Sequence, residues 1–223
     1  MENLPSYICI AFVLTTLLTI FFFYEAAGRS KTTLIVLLAW ITLQALISTT
    51  GFYTVTDSLP PRFLLLVIPP LLTILVLFNT SQGKDFIDRL DVKVLTLLHV
   101  VRIPVEIVLF CLFLYKQVPE LMTFEGRNLD ILSGISAPFI YYYGYVKQKL
   151  SQTVLLAWNI ICMGLLLNIV VYAVLSTPVP FQQFAFDQPN VAVLYFPFVW
   201  LPCCVVPLVL LSHLVSIRKL LKY

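Results

Sequence analysis

Three ionisable side chains occur within one apolar stretch of the sequence: His99, Arg102 and Glu106. They are spaced three and four residues apart, so a helix places them on one face. Each charge would cost about 2.5–3.5 kcal/mol if it faced lipid at the middle of a membrane. We therefore expect this face to point into a helix bundle or a water-filled cavity.

Two interpretations of this face remain open. In the functional one, Arg102 fixes an anionic group or a counter-charge while Glu106 takes and releases a proton near the membrane midplane. In the structural one, Arg102 and Glu106 form a buried ion pair that only holds helices together. Pro104 lies between them and frees one backbone carbonyl, which adds a polar acceptor at the same level. His99 taken alone favours a structural role.

A charged turn follows this stretch and leads into the next apolar segment. Its residues Glu125, Arg127 and Asp130 are candidates for the outer mouth of a cavity that holds Arg102 and Glu106. The alternative is that Asp130 or its neighbour Asn128 caps the N-terminus of the following helix.

Uncharged polar residues add two candidate ligands. Gln44 and Asn159 lie deeper in their apolar segments than most other polar residues, so we include them in the ligand or proton site. The alternative for both is hydrogen bonding between helices. Trp40 and Trp158 could wall a central pocket or pack in the core.

The composition of the chain indicates which kind of structural element positions these residues. Of the 223 residues, 60% are hydrophobic and 11% are charged, and the mean hydropathy is +0.96. A soluble domain of this length carries about 25% charged residues. The net charge of +3 is spread thinly, which excludes a nucleic-acid binder. The sequence predicts an all-α integral membrane protein whose main partner is the lipid bilayer.

Apolar runs of about 20 residues predict seven transmembrane helices in a single domain over 1–223. The spans are 7–24, 32–54, 63–79, 94–115, 129–146, 153–176 and 192–214. This division puts ten Lys and Arg residues on one side and three on the other. By the positive-inside rule the N-terminus is outside and the C-terminus is cytoplasmic, in a bacterial inner membrane or another plasma membrane.

An internal repeat is also predicted. A shift of 118 residues aligns 21–50 with 139–168, with 8 of 30 positions identical, and brings Trp40 onto Trp158. Repeats over 1–80 and 129–214, with helix 94–115 as the linker, would give a three plus one plus three plan of parallel halves. The alternative is that apolar helices align through composition alone.

This plan is similar to that of the SWEET and semiSWEET sugar carriers, and more loosely to that of opsin-like proteins. The first two helices lack proline, so the carriers' paired prolines have no counterpart, and their Pro-Gln motifs have none either. The segment 192–214 lacks the lysine that binds retinal in opsins. The resemblance therefore implies an architecture without its function.

The favoured function is a small-solute carrier or proton-linked transporter, with a midplane site at Arg102 and Glu106. Its alternatives are a non-transporting seven-helix sensor or interaction subunit, and a membrane-embedded enzyme that modifies lipids. The sequence carries no catalytic or cofactor motif, which favours a protein that is not an enzyme and needs no cofactor. The five cysteines and two histidines lack metal-ligand spacing, so no metal is expected. The oligomeric state is not predicted.

Overall fold

The computed structural model describes residues 4–222, and every regular element within that range is a helix or a helical turn. Residues 1–3 of the first predicted repeat, and Tyr223 of the predicted domain, lie outside the described residues. The α-helices are α1 (Ser6–Ala26), α2 (Lys31–Thr49), α3 (Leu64–Asn79), α4 (Ser81–Arg89), α5 (Val92–Leu98), α6 (Arg102–Leu114), α7 (Ile131–Ile140), α8 (Gln152–Leu175) and α9 (Val206–Lys222). Short 3₁₀ turns occupy Phe52–Thr54, His99–Val101, Glu120–Met122 and Ala192–Leu194, and π-helical turns occupy Tyr141–Val146 and Leu201–Val205.

Five helical segments are long and apolar enough to cross a membrane: Ser6–Ala26, Lys31–Thr49, Val92–Leu114, Gln152–Leu175 and Leu201–Lys222. The pair α3 and α4, bent by 94° at Thr80, raises the number to six if it forms one span. Large apolar side chains cover the outer surface, with Ile35, Leu46 and Ile161 each more than 60% exposed. Such a surface suits lipid and not water. These features support the predicted helical membrane protein.

The core of the bundle is formed by α9, α1 and the α5–α6 segment. α9 packs against α8, α5 and α3, whereas α1 packs along α5 and α6. α2 lies at the periphery and buries only a few residues, such as Ile41 and Gln44. The polar candidates on α6 therefore lie inside the bundle.

The α5–α6 segment is interrupted at the level of its ionisable residues. His99–Val101 form a 3₁₀ turn between α5 and α6. Pro104 has no backbone N–H, so the carbonyl four residues before it, on Val100, has no α-helical donor. The 3₁₀ turn at His99–Val101 lies where this α-helical hydrogen bond is missing.

Two helix boundaries differ from those predicted. The second helix was expected to run to residue 54 but ends at Thr49, because Gly51 adopts a left-handed backbone with φ of 73°. The seventh was expected over 192–214, but its helical segment occupies 201–222. Near its C-terminal end, the Lys219 side chain donates to the backbone carbonyls of Asp88 and Leu90 and so ties this segment to the end of α4.

α7 approaches the α5–α6 segment closely at Gly134. A Cβ atom at this position would lie 2.9 Å from Ile103 Cγ1, 3.1 Å from the Ile103 backbone nitrogen and 3.3 Å from Arg102 Cβ. Small residues allow such close helix contacts in membranes. The missing side chain of Gly134 therefore sets how near α7 comes to Arg102.

We predict that Gly134→Ala lowers the melting temperature of the purified protein in detergent, measured by circular dichroism. The added methyl group must displace α7 or Ile103, which typically costs about 1–3 kcal/mol. Gly164→Ala is the matched control, since its added Cβ has no other side chain within 4 Å. Alanine favours a helix over glycine by roughly 0.5–1 kcal/mol, so the control should melt at an equal or higher temperature. Equal melting of the two variants would contradict the close contact.

Candidate functional site

The Arg102 guanidinium is buried where four parts of the bundle meet. Its Nη1 lies 2.9 Å from Asp130 Oδ1, just before α7, and donates to the Cys162 carbonyl of α8 at 3.3 Å. Its Nη2 lies 3.0 Å from His213 Nε2 on α9. The Arg102 and Asp130 side chains are 3% and 6% exposed. A single side chain of α6 thus connects three other elements.

The contact with Asp130 is an ion pair without a hydrogen bond. Within residues 4–222, Asp130 Oδ1 has no hydrogen-bond partner although Arg102 Nη1 is close to it. The Nε atom of Arg102 also has no partner among the described residues. The guanidinium therefore retains donor capacity after making these contacts.

His213 is held in one tautomer by its neighbours. Asn159 Nδ2 donates to the Leu155 carbonyl at 2.9 Å, which leaves Asn159 Oδ1 to accept from His213 Nδ1, also at 2.9 Å. With the proton assigned to Nδ1, Nε2 is the acceptor for Arg102. The hydrogen-bond network thus describes a neutral imidazole next to the guanidinium.

His99 lies on the other side of this imidazole. Its ring stacks on that of His213 at 3.9 Å with an interplanar angle of 16°, and meets the Trp158 ring edge-on at 5.5 Å. In the described part of the chain neither ring nitrogen of His99 has a hydrogen-bond partner. His99 is fully buried and contributes packing through these ring contacts.

Glu106 lies one helical turn further along α6 and is 1% exposed. Asn128 Nδ2 donates to both carboxylate oxygens of Glu106 at 2.6 Å and to the Met122 carbonyl at 3.0 Å. Asn128 Oδ1 accepts from the Asp130 backbone N–H at 3.0 Å. Asn128 therefore contacts both acidic residues: its amide N–H group binds the Glu106 carboxylate, and its amide oxygen binds the backbone of Asp130.

A cleft with mostly apolar walls reaches the two carboxylates. Its volume is about 80 Å³, and its polar lining side chains are Glu106, Asp130 and Asn190. The walls come from α3, α6, α8 and the Leu201–Val206 segment. Several wall residues are partly exposed, among them Val67 on α3 and Val170 on α8, so the cleft is not fully enclosed.

The structure brings some of the predicted residues together and separates others. His99, Arg102 and Asn159 belong to one buried network, and Glu106 lies beside it. Arg102 and Glu106 are spaced for an (i, i+4) pair, but the ion-pair partner of Arg102 is Asp130. The reason is that Glu106 turns towards Asn128, whereas Arg102 reaches across to α8 and α9.

Gln44 lies apart from this network. It is on α2, where its Oε1 accepts a hydrogen bond from the Tyr53 hydroxyl in the following connection. Burial raises the pKa of Tyr53 to about 12, so the phenol keeps its proton at neutral pH. Gln44 and Tyr53 thus join the end of α2 to the turn after it.

The residues predicted for the outer mouth also separate. Asp130 is buried with Arg102, whereas Glu125 is exposed in the turn. Arg127 is exposed as well and donates to the Tyr172 hydroxyl at 3.1 Å. The capping alternative is wrong for Asp130, whose side chain makes no cap hydrogen bond at the N-terminus of α7. Asn128 does bind the backbone at this end, since its Oδ1 accepts from the Asp130 N–H just before the helix.

Three residues of the site and cleft were not among the predicted site residues: His213, Asn190 and Asn128, the last of which was considered only as a helix cap. His213 could have been found, since it is the second of only two histidines and lies in an apolar segment. Asn128 and Asn190 lie in connections, where polar residues are ordinary. Only the folded arrangement shows that they are buried.

The described residues contain no group of three or more His, Cys, Asp and Glu side chains that could hold a metal ion. Comparison with known families matches residues 59–221 to the family described as "Domain of unknown function (DUF8737)". No curated protein and no solved structure matches the chain.

We predict that Asp130→Asn strongly destabilises the protein, because it leaves the buried Arg102 charge without its partner. Breaking a buried pair in this way typically costs about 3–5 kcal/mol. The matched control is Glu25→Gln, which breaks the Glu25–Arg29 pair at 3.1 Å, where the Arg29 side chain is 72% exposed. Such a surface pair contributes about 0–1 kcal/mol. Chemical unfolding in detergent, followed by circular dichroism, measures both.

The double variant Arg102→Met with Asp130→Leu removes both charges and should regain most of the stability lost in Asp130→Asn. Equal losses for Asp130→Asn and Glu25→Gln would show that the buried pair does not carry this stability.

Proposed function

This chain belongs to the family described as "Domain of unknown function (DUF8737)", and because that description names no activity, we propose one from the buried site. The protein is a carrier that moves a small solute across the membrane and couples this movement to protonation of Glu106. The observation that carries the proposal is the cleft between α3 and α8, whose apolar walls end on the carboxylates of Glu106 and Asp130.

Glu106 supports the proton coupling. In the described part of the chain its carboxylate forms no salt bridge, and its one side-chain donor is Asn128. An ionised carboxylate is costly to bury without a cation, and a proton removes that cost. Glu106 is thus a group whose charge can change when the contents of the cleft change.

Arg102 and Asp130 support a fixed binding frame next to Glu106. Their ion pair is tied to α8 through Cys162 and to α9 through His213. A frame anchored on several helices holds its geometry while one neighbouring carboxylate gains or loses a proton.

For the topology we propose seven spans, with α3 and the α7 segment 131–146 added to the five longest helices. The short helix α4 then lies along the cytoplasmic surface, where Asp88 pairs with Arg218 and Lys222. Ten Lys and Arg residues on this side, against three on the other, support an outside N-terminus. The membrane is then a bacterial inner membrane or another plasma membrane.

The parallel repeat also remains a proposal. The aligned tryptophans make different contacts: Trp40 Nε1 donates to the Cys203 carbonyl, and Trp158 Nε1 donates to the Ser136 hydroxyl, both at 2.9 Å. If the two halves are repeats, their second helices, α2 and α8, have therefore come to pack in different ways.

The second candidate function is a sensor or interaction subunit that transports nothing. It is favoured by the near-complete burial of the Arg102–Asp130 pair, which suits a part of the core that only fixes helix packing. Under this hypothesis Glu106 holds the turn through Asn128 and exchanges no protons.

Proton movement in proteoliposomes separates the two candidates. With a pH-sensitive dye inside, we expect addition of a panel of carboxylates, amino acids, sugars and amines to reveal at least one solute that shifts the internal pH faster than in protein-free liposomes. Glu106→Gln should reduce this rate at least tenfold, because the amide cannot exchange a proton. Glu125→Gln is the control, since Glu125 is exposed in the outer turn, and should keep the wild-type rate.

An unchanged rate in Glu106→Gln, or no pH shift with any solute of the panel, would contradict the carrier and favour the sensor.

Labelling of single introduced cysteines tests the proposed topology. We expect a membrane-impermeant maleimide to label Glu125→Cys from outside intact cells and to label Lys149→Cys only after the cells are opened. Both positions are exposed, and the topology puts them on opposite sides of the membrane. The unmodified chain provides the background from its own five cysteines. Labelling of both positions from the same side would overturn the seven-span arrangement.

A further inference from the structure

The polar side chains that line the cleft present hydrogen-bond acceptors. Asn190 is fully buried, and its Nδ2 donates to the Ala173 carbonyl at 3.0 Å. Within residues 4–222 its Oδ1 has no donor, whereas Asp130 Oδ1 faces Arg102 Nη1 at 2.9 Å. Glu106 adds two more carboxylate oxygens. Buried acceptors of this kind are costly unless a donor reaches them.

The charges around the cleft leave an excess of one negative charge. Arg102 neutralises one of the two carboxylates, and its ion-pair partner is Asp130. His213 is neutral in the tautomer that its hydrogen bonds define. Glu106 then has no cation of its own in the described part of the chain. One added positive charge makes the site neutral.

We propose that the cleft binds small organic monocations, each with an apolar body and an ammonium group whose N–H bonds reach Glu106 and Asn190. This rests on the proposed carrier function and names its substrate class. The ammonium supplies both the missing charge and the missing donors, which a neutral or anionic solute does not do. The apolar body contacts wall residues such as Phe63, Val67 and Leu166.

The size of the cleft limits the body of the ligand. Its volume is about 80 Å³, below the roughly 300–1,000 Å³ of drug-sized sites, so only a small organic cation of this class fits. A single aromatic ring on a two-carbon chain keeps the body small, and 2-phenylethylammonium is therefore a practical probe.

The proposed ligand competes with a proton for the same carboxylate. The charged groups nearest Glu106 are Arg102 on its own helix and Asp130 before α7, with the neutral His213 beyond Arg102 on α9. The side chains that α3 and α8 present to the cleft are apolar. Binding of one monocation to the protonated site therefore releases one proton, and the site stays neutral throughout. If the carrier works by this exchange, the cation and the proton cross the membrane in opposite directions.

Equilibrium binding of radiolabelled 2-phenylethylammonium to the full chain in lipid nanodiscs tests the proposal, with empty nanodiscs as the background for partition into lipid. At pH 8 we expect saturable binding. Unlabelled 2-phenylethanol and 3-phenylpropionate keep the same ring and chain but lack the positive charge, and they should compete at least tenfold more weakly. Lowering the pH to 5 should weaken binding at least tenfold, because protons occupy Glu106.

Glu106→Gln should weaken binding at least tenfold and remove its pH dependence, whereas Glu125→Gln should leave both unchanged. The pH series on the unmodified protein keeps the proposal testable if Glu106→Gln fails to fold. Equal or better competition by the alcohol or the carboxylate, or binding that does not change between pH 8 and 5, would overturn the cation assignment.

The two proposals fail in different ways. Transport of a carboxylate or sugar that depends on Glu106 would overturn the cation assignment and keep the carrier. Saturable, pH-dependent cation binding without any solute-driven proton movement in proteoliposomes would keep the cation site and overturn the carrier.

Discussion

The structure depends on how one positive charge, that of Arg102, is held inside a bundle surrounded by lipid-compatible surface. Such a charge is stable only if a counter-charge and hydrogen-bond acceptors come to it. Asp130 provides the counter-charge, the Cys162 carbonyl an acceptor on α8, and His213 Nε2 an acceptor on α9. The requirement therefore fixes the relative positions of α6, α7, α8 and α9 more strictly than apolar packing alone, which tolerates many arrangements of similar volume.

Several local features follow from this requirement. The 3₁₀ turn at His99–Val101 and Pro104 set the direction from which the Arg102 side chain leaves its helix. Gly134 lets α7, and with it Asp130, come close to that helix. The side-chain nitrogen of Asn159 donates a hydrogen bond to the Leu155 carbonyl, so its side-chain oxygen faces His213 Nδ1. The proton of His213 is then on Nδ1, and Nε2, which faces Arg102, is an acceptor. Each feature supports the same buried contact, so local sequence and global packing agree.

Sequence alone predicted the polar face of His99, Arg102 and Glu106, because spacing along one helix determines which residues share a face. It also located the apolar helices, since hydropathy and length determine which segments suit a membrane. It did not predict that Asp130 is the partner of Arg102, or that Gln44 lies elsewhere, because spacing carries no information about which helices become neighbours. His213 was missed for the same reason: the predicted segment 192–214 placed it at the extreme end, whereas the helix over 201–222 puts it within the bundle.

Glu106 is the residue that the structural requirement does not explain. Asp130 already neutralises Arg102, so a second buried carboxylate adds a desolvation cost that hydrogen bonds from Asn128 offset without a counter-charge. Holding Asn128 in place does not need a charge, because the carbonyl oxygen of a glutamine would accept the same amide N–H. A glutamate is favoured over a glutamine only where its ability to carry either a proton or a negative charge is used. Its position at the end of an apolar cleft, which is also lined by Asn190 with its donor-free Oδ1, is where a proton and an organic cation would exchange.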